Sequence, residues 1–344
     1  MASRAWFSVG RATGDTAAGV ADMPGRVPSV DALRGAAVLL MAMGNLGLGV
    51  AWVPGWLKHT PDAGYTVADL VAPVFIVVSA ASVTRSMHRR RASQGTPAAL
   101  GWLARRAVEL IGIGAVVSAG QAALAPVPGV DLSWGVLQSV GGASLLLALV
   151  VLFAPWVRVV AAAAMLAGYE WLLAGAWGGT VLRTVQGGLP GTLAWGALMI
   201  LASAVSEAAW AVPGRSRARV LLAAGAAALV VGSALAPIVP VSKNRVSASY
   251  VLVSLGLGLV VWAVLDLWLV RRPAATGWLR RVGRYPLVLY FAHLLLLAPL
   301  TLAADPWWYS AAPPWLTLLE ALVMASALVG LAGVLDRSGW RLRL

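Results

Sequence analysis

The chain has 344 residues, of which 60% are hydrophobic and 11% are charged, with a mean hydropathy of +0.82 and a net charge of +13. This composition excludes an ordinary soluble domain, because apolar runs of about 20 residues recur and each can cross a hydrocarbon core of about 30 Å. The positive charge indicates loops that contact an anionic membrane leaflet, not a partner nucleic acid. With no cysteine, the chain has no disulfide, thiolate metal site or cysteine nucleophile.

The apolar runs predict an all-α, polytopic membrane protein, a bundle of about ten transmembrane helices. The alternating pattern of transmembrane strands is absent. In chain order we expect helices near 33–54, 67–87, 101–121, 134–155, 157–175, 190–211, 219–237, 247–270, 286–303 and 315–336. We interpret residues 1–28 as a flexible cytoplasmic tail, 29–337 as the transmembrane domain and 338–344 as a second cytoplasmic tail.

Basic residues predict the orientation of these helices. With the amino terminus inside, the cytoplasmic segments contain 22 of the 26 lysines and arginines. The opposite face has only Lys58, Arg183, Lys243 and Arg245. This asymmetry follows the positive-inside rule and predicts a multi-pass protein of the cell (inner) membrane with both termini cytoplasmic.

Ionisable residues within the spans are costly unless paired or hydrated, so each is a candidate for function or structure. Asp31 and Arg34 are three residues apart and can pair on one helix face, as can Arg105 and Glu109 at four residues. His88 follows Met87 and precedes three arginines, which indicates a solvated cytoplasmic surface. Four acidic residues have no evident partner in the sequence and receive no role: Glu170, Glu207, Asp266 and Glu320.

Two further places are harder to explain as simple pairing or a solvated surface. In the first outer loop, the stretch WLKHTPDAGYTVADL places His59 ten residues before Asp69, which lies at the start of the second helix. An imidazole titrates near neutrality and can move a proton, and a carboxylate can orient it. In the ninth helix, Tyr290 and His293 share one face, where spacing alone favours a helix–helix hydrogen bond. Three histidines without cysteines, one of them on the cytoplasmic side, argue against a metal site.

Several motifs, in unbroken order from about residue 27 to 295, carry a family resemblance. They are Ser29-Val30-Asp31-Ala32-Leu33-Arg34-Gly35, Asn45, Lys58-His59, Gly64-x-Thr66-x-Ala68-Asp69-Leu70-Val71-x-Pro73, Gly135-Val136-Leu137-Gln138, Gly188-Leu189-x-Gly191-Thr192, Pro240-Val241-x-Lys243-Asn244-x-x-Ser247-x-Ser249-Tyr250 and Gly283-x-x-x-Leu287-x-x-Tyr290-x-x-His293. Together they resemble the heparan-α-glucosaminide N-acetyltransferase family of transmembrane acyltransferases. The chain departs from the family pattern at Asp62, where an aromatic residue is usual, and at Tyr285, where asparagine is usual. The loop between Asn45 and His59 is also longer, and we expect no counterpart of the large lumenal domain of the animal enzymes.

The resemblance implies a transferase that takes an acetyl group from cytosolic acetyl-CoA and passes it to a glucosamine-type amino sugar or glycan on the far side of the membrane. It places the catalytic histidine at His59 and the neighbouring asparagine at Asn45. We expect the amide of Asn45 to donate a hydrogen bond to the oxyanion of the tetrahedral intermediate. Asp69 is expected to polarise the ring. The expected donor-side residues are Asp31, Arg34, Gln138, Tyr290 and His293. The expected acceptor-side residues are Lys58, Lys243, Asn244, Ser247 and Tyr250. The other partners compatible with this prediction are membrane lipids and a second copy of the chain in a homodimer. A metal cofactor is not expected.

Two alternatives remain open at this point. The first is a transporter or flippase for a lipid-linked sugar, with His59 and His293 as proton relays; the repeated halves and broken helix pairs typical of many transporters are not evident. The second is an enzyme of the same fold that uses a longer acyl-CoA or acylates a hydroxyl group.

Overall fold

The computed structural model describes residues 27–124, 129–272, 276–301 and 307–340. Of the tails predicted at residues 1–28 and 338–344, residues 1–26 and 341–344 lie outside these ranges. Within them, regular structure is helical, and the only strand-like features are two isolated bridges, Ala63 with Ser242 and Asp131 with Thr184.

Twelve α-helices are present in the described residues. They are α1 (Pro28–Leu48), α2 (Val71–Gln94), α3 (Thr96–Leu124), α4 (Val136–Val150), α5 (Pro155–Leu172), α6 (Gly178–Val181), α7 (Gly188–Trp210), α8 (Gly214–Leu235), α9 (Ala248–Arg271), α10 (Gly277–Val282), α11 (Pro286–Thr301) and α12 (Pro314–Ser338). Short 3₁₀ turns lie at Gly55–Leu57, Ala68–Leu70 and Val185–Gly187, and a π turn at Leu173–Trp177 follows α5.

The prediction of an all-α, polytopic membrane bundle is confirmed. Within the described residues, eight helices are long and apolar enough to cross a membrane, and the shorter α4 and α11 are also apolar. Each of the ten predicted segments overlaps one of these ten helices. The first helix lies earlier in the chain than the predicted range of 33–54, since α1 begins at Pro28 and ends at Leu48. Proline is favoured in the first helical turn, where its missing N–H is no loss, so the helix starts before the apolar run itself.

The chain divides into two compact units. Unit 1 comprises Met1–Pro54 and Trp268–Leu344, and unit 2 comprises Gly55–Leu267. In unit 1, α1 packs closely against α10 and the turn that follows it. A Cβ atom added at Gly283 would lie 1.8 Å from the carbonyl oxygen of Asp31, so the backbone approach requires glycine there.

In unit 2, α7 is the central helix and packs against α2, α4, α5 and α8. Trp195 of α7 is buried, and its indole N–H donates to the carbonyl oxygen of Gln186 at 2.9 Å. At one end of this unit lie the segments before α2 and before α9, together with the carboxyl end of α5. We call this the His59 end. The opposite end, where α7 terminates at Trp210, is the Glu207 end.

Candidate active site

The His59 end of unit 2 contains a histidine–carboxylate pair. Nδ1 of His59 lies 2.8 Å from Oδ1 of Asp69. The side chain of Asp69 is 0% exposed, whereas that of His59 is 30% exposed. The carboxylate therefore lies behind the ring, and the imidazole is the member of the pair that a substrate can reach.

The second carboxylate oxygen of Asp69 is held by neighbouring donors. The backbone N–H of Thr66 donates to Oδ2 at 3.0 Å, and the hydroxyl of Thr60 donates at 3.3 Å. The hydroxyl of Thr66 lies 3.0 Å from Oδ2 and 2.8 Å from the carbonyl oxygen of Lys58, so two acceptors share its proton. With Oδ2 occupied, Oδ1 faces the imidazole and favours the tautomer with hydrogen on Nδ1. Nε2 then carries the lone pair that can accept a proton.

Aromatic side chains support this pair from behind. The hydroxyl of Tyr250 donates to the carbonyl oxygen of Asp69 at 2.6 Å, and Tyr250 is fully buried. Its ring lies 5.6 Å from that of Tyr65 and 5.9 Å from that of Trp195, measured between centroids. The Tyr65 hydroxyl is 3.0 Å from that of Ser254. Burial raises the pKa of Tyr65, so its phenol stays neutral and does not compete with His59 for protons.

Lys243 lies beside the pair and is buried. Its residue surface is 6% exposed, and burial lowers the pKa of its ammonium group to about 8, an effect that the Asp69 carboxylate partly opposes. Among the described residues, its ammonium group has neither a hydrogen-bond acceptor nor a carboxylate within ion-pair distance. Loss of hydration on burial disfavours the charged ammonium, so the protein places positive charge here at the expense of stability.

The other predicted acceptor-side residues fall at the same end of unit 2. Lys58 precedes His59, and the Asn244 side chain donates to the carbonyl oxygen of Pro61. Ser247 is buried, and its hydroxyl donates to the carbonyl oxygen of Pro240 at 2.8 Å. Because Ser247 and Tyr250 have internal partners and almost no exposed surface, we now expect them to support the loop and not to touch the acceptor.

Gln138, predicted on the donor side, has a structural role at the start of α4. Its side-chain oxygen accepts from the N–H of Gly135 at 3.1 Å, and its amide nitrogen donates to the hydroxyl of Ser118 and the carbonyl of Ser133, both at 3.0 Å. These bonds cap the helix and tie it to α3. A role in binding the donor stays a prediction.

The remaining predicted residues lie in unit 1. The side-chain nitrogen of Asn45 is 3.0 Å from Nε2 of His293, and the rings of Tyr290 and His293 are 5.3 Å apart. Arg34 pairs with Asp31 at 2.9 Å, as its spacing predicted, and also donates to the carbonyl oxygen of Gly283 at 3.1 Å. The helix–helix hydrogen bond expected at His293 is therefore present, with Asn45 as the partner.

Three of the acidic residues without an evident partner in the sequence have partners in unit 2. Glu170 accepts from the N–H of Ala248, the first residue of α9, at 2.5 Å. Glu207 pairs with Arg158, and Asp266 with Arg217 at 2.7 Å. Thr60 and Thr66 were also missed as supports of Asp69, although Thr66 stands three residues before Asp69, the spacing of a helix-capping pair.

Comparison with known proteins agrees with the motifs as far as Thr192; those at 240–250 and 283–293 lie outside the matched range and stay a prediction. The family model described as heparan-alpha-glucosaminide N-acetyltransferase, catalytic, matches residues 26–194. The chain is similar to heparan-alpha-glucosaminide N-acetyltransferase of Homo sapiens, with 38% identity over 128 residues, and to that of Mus musculus, with 36% identity over 125 residues. These alignments cover 35% and 34% of this chain and 18% of each relative, so the chain matches less than a fifth of their length.

Proposed function

We propose that the protein is a membrane N-acetyltransferase, because residues 26–194 match the family model described as heparan-alpha-glucosaminide N-acetyltransferase, catalytic. In this proposal it transfers an acetyl group from cytosolic acetyl-CoA to a glucosamine-type amino sugar on the extracytoplasmic side. The observation that carries the proposal is the ordered pair of His59 and Asp69, a proton acceptor with its orienting carboxylate in place.

Amide formation requires that a proton leave the acceptor nitrogen. As the amine attacks the thioester carbonyl, a C–N bond forms and Nε2 of His59 takes the proton; collapse of the tetrahedral intermediate breaks the C–S bond and releases CoA. The buried Asp69 carboxylate stabilises the resulting imidazolium, as the carboxylate does in a catalytic triad. Lys243 adds positive charge nearby, which disfavours an acceptor ammonium and favours the neutral, nucleophilic amine.

The distribution of charge supports the sidedness of this proposal. The Glu207 end of unit 2 carries most of the arginines of that unit, and the His59 end carries Lys58, Arg183, Lys243 and Arg245. The positive-inside rule then assigns the Glu207 end to the cytoplasm and His59 to the acceptor side. The donor-side roles of Asp31, Arg34, Gln138, Tyr290 and His293, and the oxyanion role of Asn45, stay predictions from the resemblance.

Detergent-purified protein incubated with acetyl-CoA and a panel of amino sugars, neutral sugars and glycans tests the proposal. Mass spectrometry should detect an acetyl group on a glucosamine-type nitrogen together with an equal amount of free CoA. Acetylation of hydroxyl groups alone would move the assignment to an O-acyltransferase. Release of no CoA with any acceptor, from folded protein, would contradict the proposal and favour the transporter alternative.

A further inference from the structure

Two loops at the His59 end are joined through one side chain, Asp62. Oδ1 of Asp62 accepts from the hydroxyl of Ser242 at 2.7 Å and from Nε of Arg245 at 2.9 Å, while Oδ2 accepts from Nη2 of Arg245 at 2.6 Å. The two-point arrangement of guanidinium and carboxylate fixes orientation as well as distance. We call Asp62 and Arg245 the clamp; it joins the loop of residues 58–66, which carries His59, to the loop of residues 240–247, which carries Lys243.

Hydrogen bonds to backbone carbonyl oxygens align the same two loops. The N–H of Gly64 donates to the carbonyl oxygen of Val241 at 2.8 Å, and Asn244 donates to that of Pro61. On its other side, the 240–247 loop is held by α5, where the hydroxyl of Tyr169 donates to the carbonyl oxygen of Arg245 at 2.6 Å. The clamp thus adds a charged side-chain contact to loops that these hydrogen bonds join at backbone carbonyl oxygens.

The residue after Arg245 is strained. Val246 is fully buried with a φ angle of +52°. For a β-branched residue this left-handed conformation is a true outlier, and such residues persist only where the surrounding structure holds them. Its side chain packs beside Gly187, where an added Cβ would lie 2.8 Å from a Val246 methyl carbon. The 240–247 loop therefore tends to relax if its attachments weaken, and the clamp attaches it at Arg245, the residue next to the strain.

The position of Lys243 depends on this loop, because no carboxylate in the described part of the chain forms a direct ion pair with its ammonium group. The neighbouring carboxylates have other partners: Asp69 pairs with His59, Asp62 with Arg245, and Glu170 binds the N–H of Ala248. Placement of Lys243 next to Asp69 is therefore determined by the backbone that carries it. Relaxation of the loop would move the ammonium away from the His59–Asp69 pair without breaking a hydrogen bond or ion pair of the Lys243 side chain to any described residue.

We propose that Asp62 and Arg245 are positioning residues, which hold the 240–247 loop on the 58–66 loop and so keep Lys243 at the His59–Asp69 pair during acetyl transfer. The inference rests on the proposed function for its catalytic consequence. It assigns a role to Asp62, one of the positions at which the chain departs from the pattern of the family it resembles.

Three variants and one control test the clamp: Asp62→Asn, Arg245→Gln, the charge-swapped double variant Asp62→Arg with Arg245→Asp, and Arg183→Gln. Arg183 is an exposed cation of another loop at the same end, so the control removes one positive charge without touching the clamp. Each single clamp variant should lower kcat by about 10- to 100-fold, the usual effect of a misplacement of about 1 Å. KM for acetyl-CoA should stay within about two-fold of the wild-type value, the mark of a transition-state effect.

The swapped variant should recover at least ~10-fold of the lost kcat, since it restores opposite charges across the loops. Hydrogen exchange gives a readout that does not depend on the acceptor: amides of residues 241–246 should exchange about ten-fold faster in the single variants and regain protection in the swap. Unchanged exchange, or kcat within about two-fold of wild type in folded single variants, would overturn the clamp. Failure of the wild type to acetylate any amino sugar would count against the proposed function alone. Hydrogen exchange of residues 241–246 would then still test whether the clamp holds the loop.

Discussion

Unit 2 contains two histidine–carboxylate pairs, one at each end, and they differ in ways that separate a chemical role from a structural one. At the His59 end, the ring nitrogen lies 2.8 Å from Asp69, with the carboxylate 0% exposed and the imidazole 30% exposed. At the Glu207 end, the His88 ring nitrogen lies 3.6 Å from Glu207, and the two side chains are 57% and 32% exposed.

The partners of the two carboxylates differ as well. Asp69 is surrounded by neutral donors from Thr60 and Thr66, which fix its geometry and leave its charge for the imidazole. Glu207 instead binds the guanidinium of Arg158, a fully buried side chain that also donates to the Ser203 hydroxyl at 3.1 Å. An arginine neutralises a carboxylate, whereas a hydroxyl or amide only orients it. The comparison predicts that the His59 pair acts in proton transfer and that the Glu207 pair stabilises the helix bundle.

The largest expected difference between the two ends concerns the histidines. His59→Ala should lower turnover by about 10² to 10⁴, the usual contribution of general-base catalysis, with little change in the affinity for acetyl-CoA. The matched variant His88→Ala should keep turnover within about two-fold, because its ring is largely solvent-exposed. Steady-state kinetics on folded, detergent-stable variants measures both. Near wild-type turnover in His59→Ala would remove the central assignment.

The second-largest expected difference in kcat concerns the two carboxylates, Asp69 and Glu207. Asp69→Asn keeps the shape of the side chain but loses its charge, and its amide NH2 can face Nδ1 in place of an oxygen. We therefore expect kcat to fall by about 10- to 100-fold and the pH–rate profile to change. Glu207→Gln should leave both kcat and the profile unchanged per folded molecule. Equal losses in the two variants would show that the pairs are equivalent, contrary to the comparison.

For the free energy of unfolding, we expect the larger effect at the Glu207 end. Glu207→Gln removes the partner of the buried Arg158 and should lower the free energy of unfolding by about 3 kcal/mol, since an uncompensated buried charge is left behind. Replacing both residues, Arg158→Met with Glu207→Leu, should recover most of that loss. Thermal unfolding in detergent reports the effect; a double variant no more stable than Glu207→Gln would argue against a structural ion pair.

The smallest expected effect concerns Lys243 and depends on pH. Burial lowers its pKa from 10.5 to about 8, so between these values the unfolded chain binds a proton that the folded protein does not. Stability of the wild type should therefore rise with pH across this window. Lys243→Met should be more stable than the wild type by on the order of 2 kcal/mol at pH 7, with the gap closing towards pH 10.5. A constant difference in stability between the variant and the wild type from pH 7 to 10.5 would show that burial of the Lys243 ammonium costs no stability.

Local features of this protein could be predicted from the sequence alone. Apolar runs located each membrane helix, because a hydrocarbon core requires about 20 apolar residues per crossing wherever the helix packs. The pairs Asp31–Arg34 and Arg105–Glu109 were predicted from helical spacing, and both are confirmed, at 2.9 and 3.7 Å. His59 and Asp69 are separated by one short loop, so their contact was also within reach of the sequence and is confirmed.

Only the tertiary structure decided the partners that come from distant helices and loops. Arg158 and Glu207, Arg217 and Asp266, and Asp62 and Arg245 are 49, 49 and 183 residues apart, respectively, along the chain. The burial of Lys243 and the left-handed backbone of Val246 likewise follow from how the loops are fastened. Helical spacing determines which face of a helix a side chain occupies, but the side chain it meets depends on which helices pack together and in what register, and single-sequence periodicity carries no record of that choice.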